Sequence, residues 1–396
     1  MQVVLSTIGK FHTFDLAREL HAHGALQAIF TGYPRFKLPS EQLPADVIHT
    51  FPWVHAPYMG FRYRRFLGKR ANQLWEYLDK ITLDRYVSAR MQECDVFVGL
   101  SGSALLSGQA AQARGAKYVC DRGSAHIRTQ DQLLREEYAL WGVEFAGIDP
   151  RVIDLEEAEY AASDVITIPS AFSLQSFIQQ GVSIKKLRRL PYGVNLERFH
   201  CTAAPDVRRF DVLYVGAMTL QKGVQYLLQA FTRLRHPAKS LTFAGAPNPE
   251  FVSLMRQHSL WPHDAKVLGH VPQHRLKDVM SRSHVLVLPS IQDGFGMVQA
   301  QAMACGCPVV STEHTGAADL FYDGREGFIV PIRQPDSLAD RLQRLADDPA
   351  LRSRMSAAAV VRVKQLGGWR DYGNQALSIF ESLTASGLSA DGWCKS

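Results

Sequence analysis

The stretch SHVLVLPSIQDGFGMVQAQAMACGCPVVST covers residues 283–312 and alternates strand, loop, helix and strand. Residues 285–288 form an apolar run typical of a buried strand, and the glycine-bearing loop DGFG follows at 293–296. A helix is predicted to begin at Met297, before a second apolar strand at 309–311. Because free backbone N–H groups and the positive end of a helix dipole point into such a loop, the pattern predicts an anion site.

Strands and helices alternate in the same way through the rest of the chain. Short apolar strands are predicted at 3–6, 26–30, 96–100, 117–120 and 165–168, then at 212–215, 241–244, 266–268, 285–288 and 309–311. Helical periodicity falls at 11–23, 68–92, 103–114, 131–141 and 152–162. This alternation favours an α/β fold of two Rossmann-like, doubly wound domains, with ligands at the carboxyl ends of the strands.

The chain has 396 residues, which favours two domains. The segment 195–210 lacks any period, so we place an N-terminal domain at 1–200 and a C-terminal domain at 201–368. A final helix is predicted at about 369–385. No apolar run approaches the ~20 residues of a membrane span, and the N-terminus does not read as a signal peptide, so we expect a cytoplasmic protein. The six cysteines contain no CxxC pair, so neither a zinc site nor a disulfide framework is indicated.

The net charge of +6 suits an anionic ligand or an anionic surface. Basic and aromatic residues mix at 58–70, and four basic residues fall at 185–189, which is predicted to be a loop. Two interpretations stay open: a solvated face, or peripheral contact with anionic lipid at the inner face of a membrane. Nucleic acid is not expected, because no recognition motif accompanies the charge.

Residues 293–310 resemble the donor-binding signature of the retaining glycosyltransferases of family 4, the glycosyltransferase group 1 domain. In that family an acid precedes Gly-Phe-Gly and a second acid lies in the helix that follows. This chain has Asp293 where the family usually has Glu, and Gln301 where the family has its second Glu. The resemblance implies the GT-B arrangement, in which two Rossmann-like domains face a cleft. It also implies retaining transfer of a hexosyl unit from a nucleoside-diphosphate sugar to a hydroxyl acceptor. Gln301 can hydrogen bond to a ribose diol but carries no charge.

The second domain opens with a strand, a loop that begins at Gly216, and Lys222 at the start of a helix. A lysine at such a junction is well placed to bind a diphosphate. The segment resembles the family's Gly-Arg…Lys-Gly motif, whose two cations neutralise the leaving diphosphate without an obligatory metal. Lys222 and Gly223 match this motif, but Ala217 stands at the arginine position. Either another arginine substitutes, or binding is weaker.

In the first domain, His126 lies in a loop after the strand 117–120, close to Asp121, Arg122 and Ser124. Members of the resembled family commonly place a histidine in such a loop, near the transferred sugar. The first loop of the chain contains Gly9 and Lys10 and either lines the cleft or is an ordinary β–α turn.

The resemblance thus implies a site whose members have three kinds of role. The catalytic residues would be His126, Lys222 and Asp293; the donor-binding residues would be Gly216, Lys222, Gly294, Phe295, Gly296, Met297 and Gln301; and the possible cleft residues would be Gly9, Lys10, Asp121, Arg122 and Ser124. The partners would be a nucleotide sugar and a glycan or lipid-linked acceptor, with no metal and no other cofactor. A nucleotide-sugar epimerase of related fold and a catalytically idle sugar-nucleotide-binding subunit are the alternatives.

Overall fold

The computed structural model describes residues 1–61 and 67–385 of the chain. These residues form two α/β domains, each built on its own sheet of parallel strands. The prediction of two doubly wound domains is therefore confirmed.

The first domain contains a seven-stranded sheet in the order β3-β2-β1-β4-β5-β6-β7. Its strands are β1 (Val3–Thr7), β2 (Leu26–Thr31), β3 (Ile48–Thr50), β4 (Val96–Leu100), β5 (Lys117–Asp121), β6 (Val165–Ile168) and β7 (Leu187–Arg189). Its helices are α1 (Thr13–Ala22), α2 (Pro52–Gly60), α3 (Gly68–Arg90), α4 (Leu105–Ala113), α5 (Ile127–Leu140), α6 (Pro150–Ala162) and α7 (Ala171–Gln179).

The second domain contains a six-stranded sheet in the order β10-β9-β8-β11-β12-β13. Its strands are β8 (Phe210–Val215), β9 (Lys239–Ala244), β10 (Lys266–Val267), β11 (Val285–Leu288), β12 (Val309–Thr312) and β13 (Gly327–Val330). The helices that follow β8 are α8 (Val224–Arg233), α9 (Pro249–Gln257), α10 (Gln273–Ser281), α11 (Val298–Ala304), α12 (Ala317–Leu320), α13 (Pro335–Asp347), α14 (Pro349–Leu366) and α15 (Trp369–Ala385). In both sheets the order reverses beside the first strand, which is the point where ligands bind in open parallel sheets.

Successive side chains along a strand point to opposite faces of the sheet. In the central strands both faces are covered, so side chains on both are buried. In β8, Val212 and Tyr214 pack into one hydrophobic cluster and Leu213 packs into another. In β11, Val287 joins the first cluster and Leu286 joins the second. This explains why the central strands read as continuous apolar runs in the sequence.

Helix α15 returns to the first domain and packs against α1. Tyr372 and Phe380 of α15 are buried in the same cluster as Phe14 of α1. A Cβ at Gly373 would lie 2.4 Å from Cβ of Glu19, so glycine allows the two helices to approach closely. The end of the chain therefore joins the two domains a second time.

The sequence analysis missed three strands and five helices. The missed strands β3, β7 and β13 each pair with only one neighbour in the described sheets, and the missed helices are α2, α7, α12, α13 and α14. The loop predicted at 185–189 is wrong in part, because Leu187–Arg189 pairs with β6 as an edge strand. An edge strand faces solvent on one side, so it tolerates the charged residues that suggested a loop.

Of the basic and aromatic stretch at 58–70, residues 62–66 lie outside the described residues. Among the residues that are described, no helix is both long and apolar enough to cross a membrane.

Candidate active site

The carboxyl ends of the two sheets face each other across a cavity of about 1020 Å³. Loops that follow β1, β4 and β5 supply the wall from the first domain, and loops that follow β8 and β11 supply the opposite wall. Of the residues predicted for the site, those that line the cavity are Lys10, Arg122, Ser124, Gly216, Lys222, Asp293, Phe295, Gly296 and Met297. The predicted residues that do not line it are Gly9, Asp121, His126, Gly294 and Gln301.

Lys222 and Asp293 form an ion pair in this cavity, with Nζ of Lys222 2.7 Å from Oδ2 of Asp293. Gly223 precedes α8 and has a φ of +65°, in the left-handed region that favours glycine. A Cβ there would lie 1.8 Å from the carbonyl oxygen of Pro289, so only glycine lets the loop after β8 rest on the end of β11. The local backbone thus brings the lysine to the carboxylate.

The loop that carries Asp293 is fixed by its own backbone. The N–H of Asp293 donates to the carbonyl of His314 (3.0 Å), and the carbonyl of Phe295 accepts from the side chain of Gln299 (2.8 Å). Gly296 has a φ of +71°. Among the described residues, the N–H groups of Gly296 and Met297 have no hydrogen-bond acceptor. Two free amides and an ammonium group therefore share one cavity, which is an arrangement suited to an anion.

Gly294 makes the contact between the two domains rather than a wall of the cavity. A Cβ at this position would lie 1.9 Å from the carbonyl oxygen of Gly123 in the first domain. The carbonyl of Gly294 accepts hydrogen bonds from Ser170 (2.6 Å) and from Ser173 (3.3 Å), both also in the first domain. Since its carbonyl and its Cα face are both occupied, Gly294 positions the loop, and the donor-binding role predicted for it is not supported by its location.

His126 does not reach the cavity, which corrects its predicted place beside a transferred sugar. Its ring packs among Tyr160 and Phe177, with centroids 5.1 Å and 4.9 Å away, and its Nδ1 caps α5 by accepting from the N–H of Arg128 (3.3 Å). Burial lowers the pKa of His126 to about 4. A neutral, capping histidine in an aromatic cluster has a structural role.

His12 lines the cavity instead, and the sequence analysis did not identify it as a site residue. Its Nε2 lies 2.6 Å from Oδ2 of Asp121, so Asp121 stands behind the histidine rather than at the cavity surface. The ring of Tyr192 lies 4.3 Å from that of His12 and 5.3 Å from that of Phe295. One aromatic ring therefore links this histidine to the loop of the opposite domain. The signal in the sequence was the position of His12, just after the Gly9-Lys10 loop.

The remaining predicted residues have other partners. Arg122 lines the cavity, but its guanidinium is bound by Glu156 at 2.6 Å and by Gln130 at 2.8 Å. Gly9 packs against the ring of Phe11, and Gln301 is partly buried one turn into α11. These positions leave Lys222 and Asp293 as the charged pair of the second-domain wall.

A second contact between the domains involves residues that do not line the cavity. Arg333 of the second domain donates to Glu137 (2.8 Å) and to Glu136 (3.0 Å) on α5. Glu137 is fully buried and also accepts from Gln225 of α8 (2.7 Å). A buried carboxylate of the first domain thus accepts from one charged and one neutral donor of the second domain, which links the two domains.

Two Rossmann-like domains that face a cleft define the GT-B class of fold, and comparison with solved structures confirms it. The chain aligns with the sucrose-phosphate synthase of Thermosynechococcus elongatus at 20% identity, with a TM-score of 0.71, covering 98% of this chain and 100% of that one. It aligns with HepE of Anabaena, solved in complex with UDP and glucose, at 15% identity and a TM-score of 0.72, covering 96% and 100% of the two chains.

The family model of glycosyl transferases group 1 matches residues 202–362, which span most of the second domain. The glycogen synthase of Mycobacterium tuberculosis is 27% identical over 205 residues, which are 50% of this chain and 49% of that protein. The chain spans about half the length of the curated relatives that it matches most significantly.

Proposed function

We propose that the protein is a retaining glycosyltransferase, which moves a hexosyl unit from a nucleoside-diphosphate sugar to a hydroxyl group of a glycan or lipid-linked acceptor. The observation that carries the proposal is the shared cavity of Lys222, Asp293 and the free amides of Gly296 and Met297. Two further facts support it: the family model of glycosyl transferases group 1 matches residues 202–362, and the structural relative HepE was solved with UDP and glucose.

In this proposal Lys222 and the loop amides bind the diphosphate, and Asp293 binds hydroxyls of the sugar. Transfer breaks the bond between the anomeric carbon and the diphosphate oxygen, and the electron pair leaves with the diphosphate. The ammonium group and the amides stabilise this developing charge within a cleft that already holds them in place. The acceptor oxygen forms the new bond on the face that the diphosphate leaves, and its proton passes to an oxygen of the departing diphosphate, so the anomeric configuration is retained.

The proposal requires no metal ion, because Lys222 and backbone amides supply the positive charge. The family's second cation is missing at Ala217, and Arg198 is its substitute in our proposal. Arg198 lines the same cavity, and its guanidinium bonds only to the neutral side chain of Gln273 among the described residues. The cavity's other arginines are paired, Arg18 with Glu41 and Arg122 with Glu156.

A thermal-shift screen against UDP-, GDP- and ADP-sugars tests the donor class, since a ligand that binds the native state raises Tm. The donor that binds is then supplied with and without acceptors, with and without EDTA, and the anomeric configuration of the product is read by NMR. Transfer with retention in the presence of EDTA supports the proposal. Isomerisation of the sugar nucleotide without an acceptor would identify an epimerase, and tight binding without any turnover would identify an idle subunit.

The first domain also carries a surface suited to an anionic membrane, and we propose peripheral binding there. Phe36 is 78% exposed and Trp53 is 77% exposed, while Leu74 and Leu78 form an exposed pair one turn apart on α3. The basic residues Lys69 and Arg70 begin the same helix and are exposed. Aromatic and leucine side chains beside lysine and arginine are the composition of interfacial membrane-binding surfaces.

Two contacts bring together the segments of the domain that carry these side chains. The ring of Tyr33, near Phe36, lies 5.5 Å from that of His55 on α2, and His55 bonds to Asp79 of α3 at 2.7 Å. Vesicles of phosphatidylcholine with and without phosphatidylserine test the proposal by co-sedimentation. We expect binding only to the anionic vesicles, and loss of binding in Trp53→Ser with Leu74→Ser. Leu140→Ser, at an exposed leucine on α5, is the control.

A further inference from the structure

The wall of the cavity opposite the Lys222–Asp293 pair contains an aromatic side chain open to the ligand space. Phe11 lines the cavity and is 50% exposed, although large apolar side chains elsewhere in the wall, such as Phe295, are buried. A Cβ at Gly9 would lie 2.8 Å from Cε2 of Phe11, so glycine leaves room for the ring beside the loop. An exposed aromatic face in a polar cleft is a surface against which an apolar face of a ligand packs.

The charged groups around Phe11 neutralise each other. Nζ of Lys10 lies 2.5 Å from Oε1 of Glu41, and Nη1 of Arg18 lies 3.0 Å from Oε2 of the same carboxylate. Arg18 also bonds to Asp15. Because Lys10 and Arg18 are both paired with carboxylates, neither cation is free to bind a phosphate or carboxylate group of a ligand. Paired carboxylates and cations instead present both acceptors and donors, which suits ligand hydroxyl groups.

His12 adds one unpaired acceptor at the inner end of this wall. Asp121 lies beside Nε2 of His12 and also accepts from Oγ1 of Thr167 (2.9 Å); in the tautomer whose Nε2–H donates to this carboxylate, Nδ1 is an acceptor. His12 is about nine-tenths buried and lines the cavity. Nδ1 of His12 has no hydrogen-bond partner among the described residues, and this atom remains accessible to solvent.

We infer that the acceptor is a neutral sugar whose ring packs on Phe11, with its hydroxyl groups bound by Asp15, Glu41 and Nδ1 of His12. Tyr192 connects His12 to Phe295 of the donor loop, so a ring on this wall lies beside the sugar that is to be transferred. The inference rests on the proposed function and specifies the acceptor class for the same cleft.

The test measures transfer from the donor found by thermal shift onto neutral methyl glycosides and onto the matching sugar phosphates. We expect transfer to at least one neutral glycoside, and a lower kcat/KM for its phosphate. Phe11→Ala should raise the acceptor KM by about tenfold, while Phe11→Tyr, which keeps the ring, stays near wild type. His12→Gln should also raise the acceptor KM. Ile184→Ala, at an exposed apolar side chain of the same domain outside the cavity, is the control.

Donor binding and donor hydrolysis separate this inference from the proposed function. If no sugar nucleotide binds, the proposed function fails. If the donor binds and is hydrolysed normally, two results overturn the acceptor site alone. One is an unchanged acceptor KM in Phe11→Ala, and the other is transfer only to the sugar phosphates or to no neutral glycoside. Circular dichroism of each variant checks that the fold is retained, which we expect for Phe11→Ala because Phe11 is half-exposed.

Discussion

The ammonium nitrogen of Lys222 lies 2.7 Å from Oδ2 of Asp293, which joins the loop after β8 to the loop after β11 inside the cleft. The lysine side chain is 28% exposed and the aspartate side chain 18% exposed, so both remain open to the cavity. In the free protein each charge neutralises the other. We propose that an entering diphosphate replaces the carboxylate as the partner of Lys222 and releases Asp293 to the hydroxyls of the donor sugar.

Replacing Lys222 with alanine should therefore reduce kcat by about tenfold or more, because the leaving diphosphate loses a charge-assisted partner. Initial rates at saturating donor are the measurement. Lys266→Ala, at an exposed lysine on β10, is the matched control and should leave the rate unchanged. Near-normal rates in Lys222→Ala would contradict the role of this lysine.

Asp293→Asn should have opposite effects on binding of the nucleotide part of the donor and on transfer of its sugar part. The substitution removes the carboxylate that competes for Lys222, so a nucleoside diphosphate alone should bind a few-fold more tightly, by about 1 kcal/mol or less. The sugar loses its charged acceptor, so kcat for transfer should fall. Calorimetric titration with the nucleoside diphosphate and steady-state rates give the two values. Weaker nucleotide binding with normal transfer would contradict the assignment.

Arg198→Ala tests whether this arginine replaces the cation that Ala217 lacks. We expect the donor KM to rise by about fivefold to tenfold, since charge-assisted hydrogen bonds to phosphate are lost. Arg208→Ala is the control, because Arg208 lies in the same linker and its partner is Asp206. Equal donor KM values for the two variants would remove Arg198 from the site.

Gly294→Ala should prevent the two domains from meeting as they do here, because the new methyl group would lie 1.9 Å from the carbonyl of Gly123. We expect about a tenfold loss of kcat/KM, as misplacement of the two walls disrupts the reacting geometry. Small-angle scattering should show a larger radius of gyration. Gly60→Ala, where a Cβ meets nothing within 4 Å, is the control. An unchanged radius together with unchanged activity would argue against the contact.

His126 should affect stability rather than transfer. Burial lowers its pKa from 6.5 to about 4 in the folded protein, so the unfolded chain binds more protons between these values. The free energy of unfolding should therefore decrease as pH falls from about 6.5 to 4, and part of this decrease should disappear in His126→Asn, which can still cap α5. Urea unfolding across this range measures it, and a changed donor KM in the variant would return His126 to the site.

Sequence periodicity predicted the central strands well, because strands buried on both faces carry continuous apolar runs. It failed at β7, where Leu187 is followed by Arg188 and Arg189, since an edge strand is partly solvated. Lys222 and Asp293 were predicted from the resemblance to the family motifs, and they meet in one cavity because the loops that carry them follow β8 and β11, which are neighbours in the sheet.

The first-domain wall could not be predicted in the same way. His126 and His12 both follow strand ends in the sequence, and only the packing of Tyr160 and Phe177 around His126 turns it away from the cavity. The pairing of His12 with Asp121 joins residues 109 positions apart in the chain, which no local pattern reports.

The most direct test of the central claim is a calorimetric titration of wild-type protein and Lys222→Ala with UDP-, GDP- and ADP-sugars. We predict that one of these donors binds the wild type with a stoichiometry of about one, and that the variant binds it at least about tenfold more weakly. Equal affinities in the two proteins, or no binding of any sugar nucleotide, would contradict a diphosphate site at Lys222.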